Sequence, residues 1–177
     1  MRGQLREGSF AVYEPFRTTR LTLPRATRRI VDFAASCGVT VVVEHFPAGT
    51  KTAADAAGAV GCEVAAIVKS LVFMVDDEPV LALVPGDLRL DDRKLADAMG
   101  GKRSRRASLD EVRAATGYVA GGTPPFAHEH PITVLADRQL RRNELLWAAG
   151  GTPSSVFSLS LDDLMRLSGA TWADISR

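Results

Sequence analysis

The chain has 177 residues, enough for one domain with a sizeable core, and its 46% hydrophobic and 24% charged residues suit an ordinary globular protein. No apolar run approaches the roughly 20 residues that cross a bilayer, and the arginine-bearing start lacks the apolar stretch of a secretory signal. Cytosolic residence without a membrane partner is the expectation, and the near-neutral balance of 22 Lys and Arg against 21 Asp and Glu excludes nucleic-acid binding by bulk charge, leaving only a local patch.

Residues 1–21 mix Arg2, Arg6, Arg17 and Arg20 with Gly3, Gly8 and Pro15 and show no periodicity, so they read as an N-terminal arm ahead of a domain spanning 22–177. Ile30, Phe33, Ala34 and Cys37 recur at helical spacing and Gly38 ends that helix. Val39–Phe46 is rich in β-branched residues and predicts a strand. Thr52 with Asp55 forms a capping box, so a short alanine-rich helix runs to Val60, and a helical turn over Glu63–Ile67 leads into Lys69. Strands at Lys69–Val75 and Pro79–Val84 flank an acidic turn and predict a hairpin. Asp91–Met99 reads as a helix stopped by Gly100-Gly101, and Ser108 with Glu111 caps another that closes at Gly117. Ile132–Leu135 and Leu145–Ala149 read as strands, Val156–Leu159 as an edge strand, and Ser160 with Asp163 starts a last helix ending at Gly169. Strands and helices alternate without a βαβ rhythm. A mixed α+β fold is expected, with a mostly antiparallel, barrel-like sheet and peripheral helices.

Cys37 and Cys62 stand alone, which argues against a disulfide framework or a cysteine zinc cluster and makes each a small hydrophobe in or near a helix. His128 and His130, with His45 as a third ligand, lack a carboxylate cluster, so neither a metal nor another cofactor is expected. The run Lys102-Arg103-Ser104-Arg105-Arg106 reads either as a solvated strand face or as a phosphate contact. No G-x-S-x-G elbow is present, and Ala96 stands where a P-loop needs its first glycine.

Two features point to chemistry. Lys69 shares a strand face with Leu71, Phe73 and Val75, a face that should be buried, and lysine is seldom buried without a purpose. It is either a snorkelling lysine at the strand mouth or a fixed cation beside a bound ester or phosphate. The second feature is Gly117–His130, where Gly121-Gly122 permits close backbone approach and Thr123-Pro124-Pro125 stiffens the exit. That loop is either a plain surface turn or a cradle for an oxyanion or a terminal ribose.

In order and spacing, T-K-T-A-A-D-A-A (50–57), I-V-K-S-L-V-F (67–73), L-A-L-V-P-G-D-L-R-L-D (81–91), L-D-E-V-R-A-A-T-G-Y-V-A-G-G-T-P-P (109–125) and L-M-R-L-S-G-A-T-W-A-D-I (164–175) resemble the YbaK/ProX family. That family also supplies the editing domain inserted in bacterial prolyl-tRNA synthetases. The resemblance runs from about Pro24 to Ile175. It implies a mixed α/β fold of the family's own type and hydrolysis of the ester between an amino acid and its tRNA. It places the family's essential lysine on Lys69, the glycine-rich substrate loop on Gly121 and Gly122, and the threonine-bearing loop on Thr50 and Thr52. Thr123 and His128 are carried with that loop as substrate-binding candidates. Partners implied are the aminoacylated 3′ end of tRNA and an aminoacyl-tRNA synthetase. The chain departs from the family twice: Ala127 replaces a loop glycine, and the serine of a serine-alanine-glycine turn is missing near Ala148-Ala149-Gly150. Those departures leave a non-catalytic tRNA- or synthetase-binding module as the rival reading, with a hydrolase of small esters behind it.

Overall fold

A computed structural model describes residues 22–177, so the arm expected at 1–21 lies outside the described residues. The elements in chain order are α1 (Arg25–Ser36), β1 (Val43–His45), α2 (Ala53–Val60), β2 (Ile67–Val75), β3 (Glu78–Pro85), α3 (Asp92–Ala98) and β4 (Ser104–Arg106). They continue with α4 (Leu109–Thr116), β5 (Thr133–Asp137), β6 (Leu145–Ala149), β7 (Ser155–Ser160), α5 (Leu161–Ser168) and β8 (Thr171–Ala173). Short 3-10 turns cover Val64–Ala66 and Arg138–Arg142.

All strands join one sheet in the order β1-β7-β6-β2-β3-β5-β8, with β4 on β2. The β2–β3, β2–β4, β1–β7 and β6–β7 pairings are antiparallel, whereas β2–β6, β3–β5 and β5–β8 are parallel. The sheet is mixed with most of its pairing antiparallel, as expected, and parallel neighbours arise where the returns from β3 to β5 and from β5 to β8 pass through helices. β7 is paired on both sides and is not the edge strand expected at Val156–Leu159; β1 takes the outer place, reduced to three residues of the predicted Val39–Phe46. β8 has too few residues to show a period.

Local chemistry accounts for most boundaries. Both capping boxes form, Thr52 with Asp55 and Ser108 with Glu111, and Gly61, Gly117 and Gly169 end their helices with positive φ. The β2–β3 hairpin turns on Asp76 and Asp77 at φ 46° and 71°, the left-handed pair that matches strand twist.

Alternation sorts the core. Val68 and Val72 of β2 and Leu81 and Leu83 of β3 face a large cluster with Ile30 of α1, Val112 of α4 and Leu164 of α5. On the opposite face, Phe73, Val75, Val80 and Val84 pack with Leu95 of α3 and Ile175. A third, small cluster joins Ala56 and Ala57 of α2 to Ile67 at the start of β2. Between those last two clusters, on one strand face, lie Lys69 and Leu71.

Candidate functional site

Lys69 is half-buried because its strand passes from one apolar cluster to the next and neither reaches over it. Phe73 and Val75 are buried as the alternation requires, while Lys69 and Leu71 remain partly open and face a cavity of about 270 Å³. The Lys69 ammonium donates to the Leu88 carbonyl. One of its three N–H groups is thus committed and two are left for the cavity. Burial pushes the Lys69 pKa below the usual lysine range; Asp87 pulls it back up and Arg89 pushes it further down. The chain after β3 hugs the Val64–Ala66 turn so closely that a Cβ on Gly86 would sit 2.3 Å from the Val64 carbonyl oxygen. That contact sets the place of Leu88 relative to Lys69.

Three loops form the mouth. Thr50 donates to the Pro153 carbonyl from both its amide and its hydroxyl, each at 3.0 Å, tying the loop before α2 to the loop between β6 and β7. Thr52 spends its hydroxyl on the α2 cap, accepting from the Asp55 amide at 3.0 Å. Gly121 adopts φ +84° beside Pro153, and a Cβ on Gly122 would lie 2.8–2.9 Å from the Gly151 and Thr152 backbone. Gly122 is therefore glycine for close packing of two loops, and Gly121 for its backbone conformation. Thr123 donates to the Val119 carbonyl at 3.2 Å.

Of the residues singled out in the sequence, Thr50, Thr52, Lys69, Gly121 and Thr123 line this one cavity. Gly122 is not among them and packs instead on the Gly151–Thr152 backbone. His128 lies elsewhere, in a cleft with Arg29, Phe33 and Ile132, where its Nε2 meets the Pro124 carbonyl at 2.9 Å and its ring stands edge-on to Tyr118. Burial holds the His128 pKa below the usual histidine value. Ala127 is also remote from the cavity; it sits at φ 63° with its carbonyl accepting from the Tyr118 hydroxyl at 2.9 Å. A left-handed position is one that suits glycine better than alanine, and Ala127 is not part of the cavity wall. Ala148, by contrast, is part of that wall.

Sequence reasoning missed Trp147, Ser70 and Lys51 on the wall, and placed Arg106 there only as part of a charged run. Within that run Arg105 is bound by Glu111 through two 2.8 Å contacts and Arg103 lies 3.7 Å from Asp77, so the run is partly neutralised by its neighbours. Among the described residues no three His, Cys, Asp or Glu side chains gather to hold a metal ion. Cys37 is exposed at the end of α1 and Cys62 partly buried beyond α2, both as free thiols. No helix among the described residues is long and apolar enough to cross a membrane.

The arrangement suits a carbonyl compound with one small end. The amine offers charge-assisted donation in a partly desolvated place, where it counts for more than in water. Ala53, Ala56, Ile67 and Trp147 supply the apolar wall for a compact side chain.

Residues 47–167 match the model of the aminoacyl-tRNA editing domain. A protein of Enterococcus faecalis named "Putative Cys-tRNA(Pro)/Cys-tRNA(Cys) deacylase EbsC" is 30% identical over 127 residues, covering 71% of this chain and 77% of that protein. The proline–tRNA ligase of Maridesulfovibrio salexigens is 36% identical over 106 residues, which cover 58% of this chain but 17% of that much longer protein. Among solved structures, one described as "a putative trans-editing enzyme for prolyl tRNA synthetase" superposes with a TM-score of 0.82 at 40% identity, over 88% of this chain and 99% of that one.

Proposed function

The chain belongs to the aminoacyl-tRNA editing-domain family, and from that premise we propose that it is an aminoacyl-tRNA deacylase acting in trans on tRNA mischarged with a small amino acid. The observation that carries this reading is the half-buried Lys69 amine facing a cavity of about 270 Å³ whose mouth is built by the Thr50–Thr52 and Gly121–Thr123 loops. Residues 22–177 form the editing domain, working in the cytoplasm on the aminoacylated 3′ end and alongside a synthetase.

An aminoacyl ester is already activated, so positioning and charge stabilisation are enough to speed its hydrolysis. Lys69 holds the acyl carbonyl and stabilises the oxyanion that develops there. Gly121 lets the loop backbone come close to the terminal adenosine. Water attacks the acyl carbon, the bond from that carbon to the ribose oxygen breaks, and the ribose oxygen takes up the proton that the water gives up, leaving a free amino acid and a deacylated tRNA end. The wall at Trp147 and Ala56 excludes larger side chains, a sieve needed because binding alone separates neighbours by only about 1–3 kcal/mol per methylene.

The test is a panel of alanine, cysteine, serine and threonine esters on several tRNAs. Release of amino acid from at least one of them, lost in Lys69→Ala, is the expected result. Binding of the charged tRNA without release would instead identify a non-catalytic module, and equal turnover of free aminoacyl esters without RNA would identify a small-ester hydrolase.

A further inference from the structure

Lys69 pairs with Val84 across the hairpin, so its side chain leaves the sheet beside the turn that follows β3. Two opposed sets of contacts hold that turn. From the sheet side, the Gly86 amide donates to the Ile67 carbonyl at 2.8 Å and the Leu88 amide to the Pro85 carbonyl at 3.1 Å. From the outside, Arg142 grips the Asp87 carboxylate with both terminal nitrogens, at 3.0 and 2.8 Å. Arg142 is itself braced, its Nε donating to the Gln139 carbonyl at 3.0 Å. The Gln139 amide in turn donates at 2.8 Å to Asp137, a buried carboxylate that also receives the Ile175 amide at 3.0 Å.

Resting on the deacylase reading, we propose that Asp87, clamped by Arg142, is a positioning residue for Lys69. The pair fixes the turn whose Leu88 carbonyl receives the ammonium and sets a negative charge behind it. The pair does little for stability, since both side chains are over a third exposed at 41% and 34%. Its contribution is geometric and electrostatic. The charged groups around Lys69 are Asp87 and Arg89 on the turn, and Lys51 and Arg106 on the cavity wall. Of these four only Asp87 is anionic, so it alone offsets a crowd of positive charge next to a half-buried amine. The Arg142 contact holds the Asp87 carboxyl below its usual range, keeping it charged at neutral pH.

Full-length Asp87→Asn, Arg142→Ala and Arg142→Lys proteins separate the two parts of this role. The readouts are single-turnover deacylation against pH and an NMR titration of isotope-labelled lysine. The chain has four lysines, so the Lys69 signal is assigned by its loss in Lys69→Arg. Asp87→Asn should slow turnover by ~10–100-fold, lower the pKa of Lys69 and move the alkaline fall of activity to lower pH. Arg142→Ala should slow turnover without lowering the Lys69 pKa, and Arg142→Lys should recover part of the rate, a point charge lacking the two-pronged grip. Thermal midpoints should stay within a few degrees of wild type. An Asp87→Asn protein with the wild-type rate overturns the proposal, as does a slowed rate with an unmoved Lys69 titration. If the wild type releases no amino acid from any ester, the deacylase reading falls, and the NMR titration then decides alone whether Asp87 governs the amine.

Discussion

Replacing Lys69 by methionine keeps most of the side-chain volume and removes only the charged, hydrogen-bonding end. At 4 Å and an effective dielectric constant near 20, an ammonium stabilises a full negative charge by about 4 kcal/mol. A partly developed oxyanion gains less, and losing one such donor costs ~10²–10³ in rate, or about 3–4 kcal/mol. The folded state should barely notice. Burial lowers the Lys69 pKa, so folding disfavours its charged form; that penalty is present below the folded pKa and relieved as pH rises through it. Methionine escapes this penalty but leaves the Leu88 carbonyl without its donor. The two effects oppose each other, and the net change should stay within ~1 kcal/mol, or about 2–4 °C in melting temperature for a chain of this size. Single-turnover hydrolysis of a mischarged tRNA and a thermal melt on the same preparation give both numbers. Wild-type hydrolysis in a folded Lys69→Met protein would refute the reasoning at its root, and a melting temperature lower by more than 10 °C would show Lys69 to be a structural residue.

The two loop glycines should fail for different reasons. Gly122→Ala forces a methyl to within 2.8–2.9 Å of the Gly151–Thr152 backbone and should cost ~1–3 kcal/mol in denaturant unfolding, whereas Gly121→Ala makes only ordinary contact with Pro153 at 3.9 Å but sits at a left-handed φ and should cost ~1–2 kcal/mol. Trp147→Ala enlarges the cavity, so hydrolysis of esters with larger side chains should rise relative to small ones by about 10-fold or more, read from competing deacylation assays. Glu111 has its pKa lowered to about 2, first by the Arg105 contact and next by the Ser108 amide. Its contribution is present above the ordinary glutamate pKa and is lost as pH falls toward 2, so Glu111→Gln should make the acid loss of stability shallower over that interval, measured by urea midpoints at a series of pH values.

The sequence made the frame legible wherever a side chain acts on its own backbone. Thr52, Ser108 and Ser160 announced helices that begin where they stand, and the apolar hairpin around the acidic turn is present with its strands in place. Lys69 was visible as an anomaly for a related reason: strand alternation assigned it to an apolar face before any contact was known. Where pairing is long-range, the reading weakened. Nothing local in Val156–Leu159 says that two strands flank it, and nothing in Thr171–Ala173 marks a strand that exists only by lying beside β5. The threonines of the mouth were read as substrate contacts, yet the hydroxyls of Thr50, Thr52 and Thr123 are engaged by the protein itself. The same blindness hid Asp87, whose partner lies 55 residues away in the sequence. The family resemblance carries His128 with the glycine-rich loop as a substrate-binding candidate, but after the Thr123-Pro124-Pro125 turn it lines another cleft.

β2 is bonded to β3 along its whole length and touches β4 and β6 as well. Backbone so thoroughly stitched opens only when the molecule as a whole comes apart, while loops fastened by one or two bonds breathe far more often. The Lys69 amine thus stands on a strand paired to three others, whereas the Thr50 loop at the cavity mouth is tied to the Pro153 carbonyl by two hydrogen bonds. On the deacylase reading, loosening that mouth alters how readily an RNA end enters and leaves while the Lys69 amine keeps its place on the sheet.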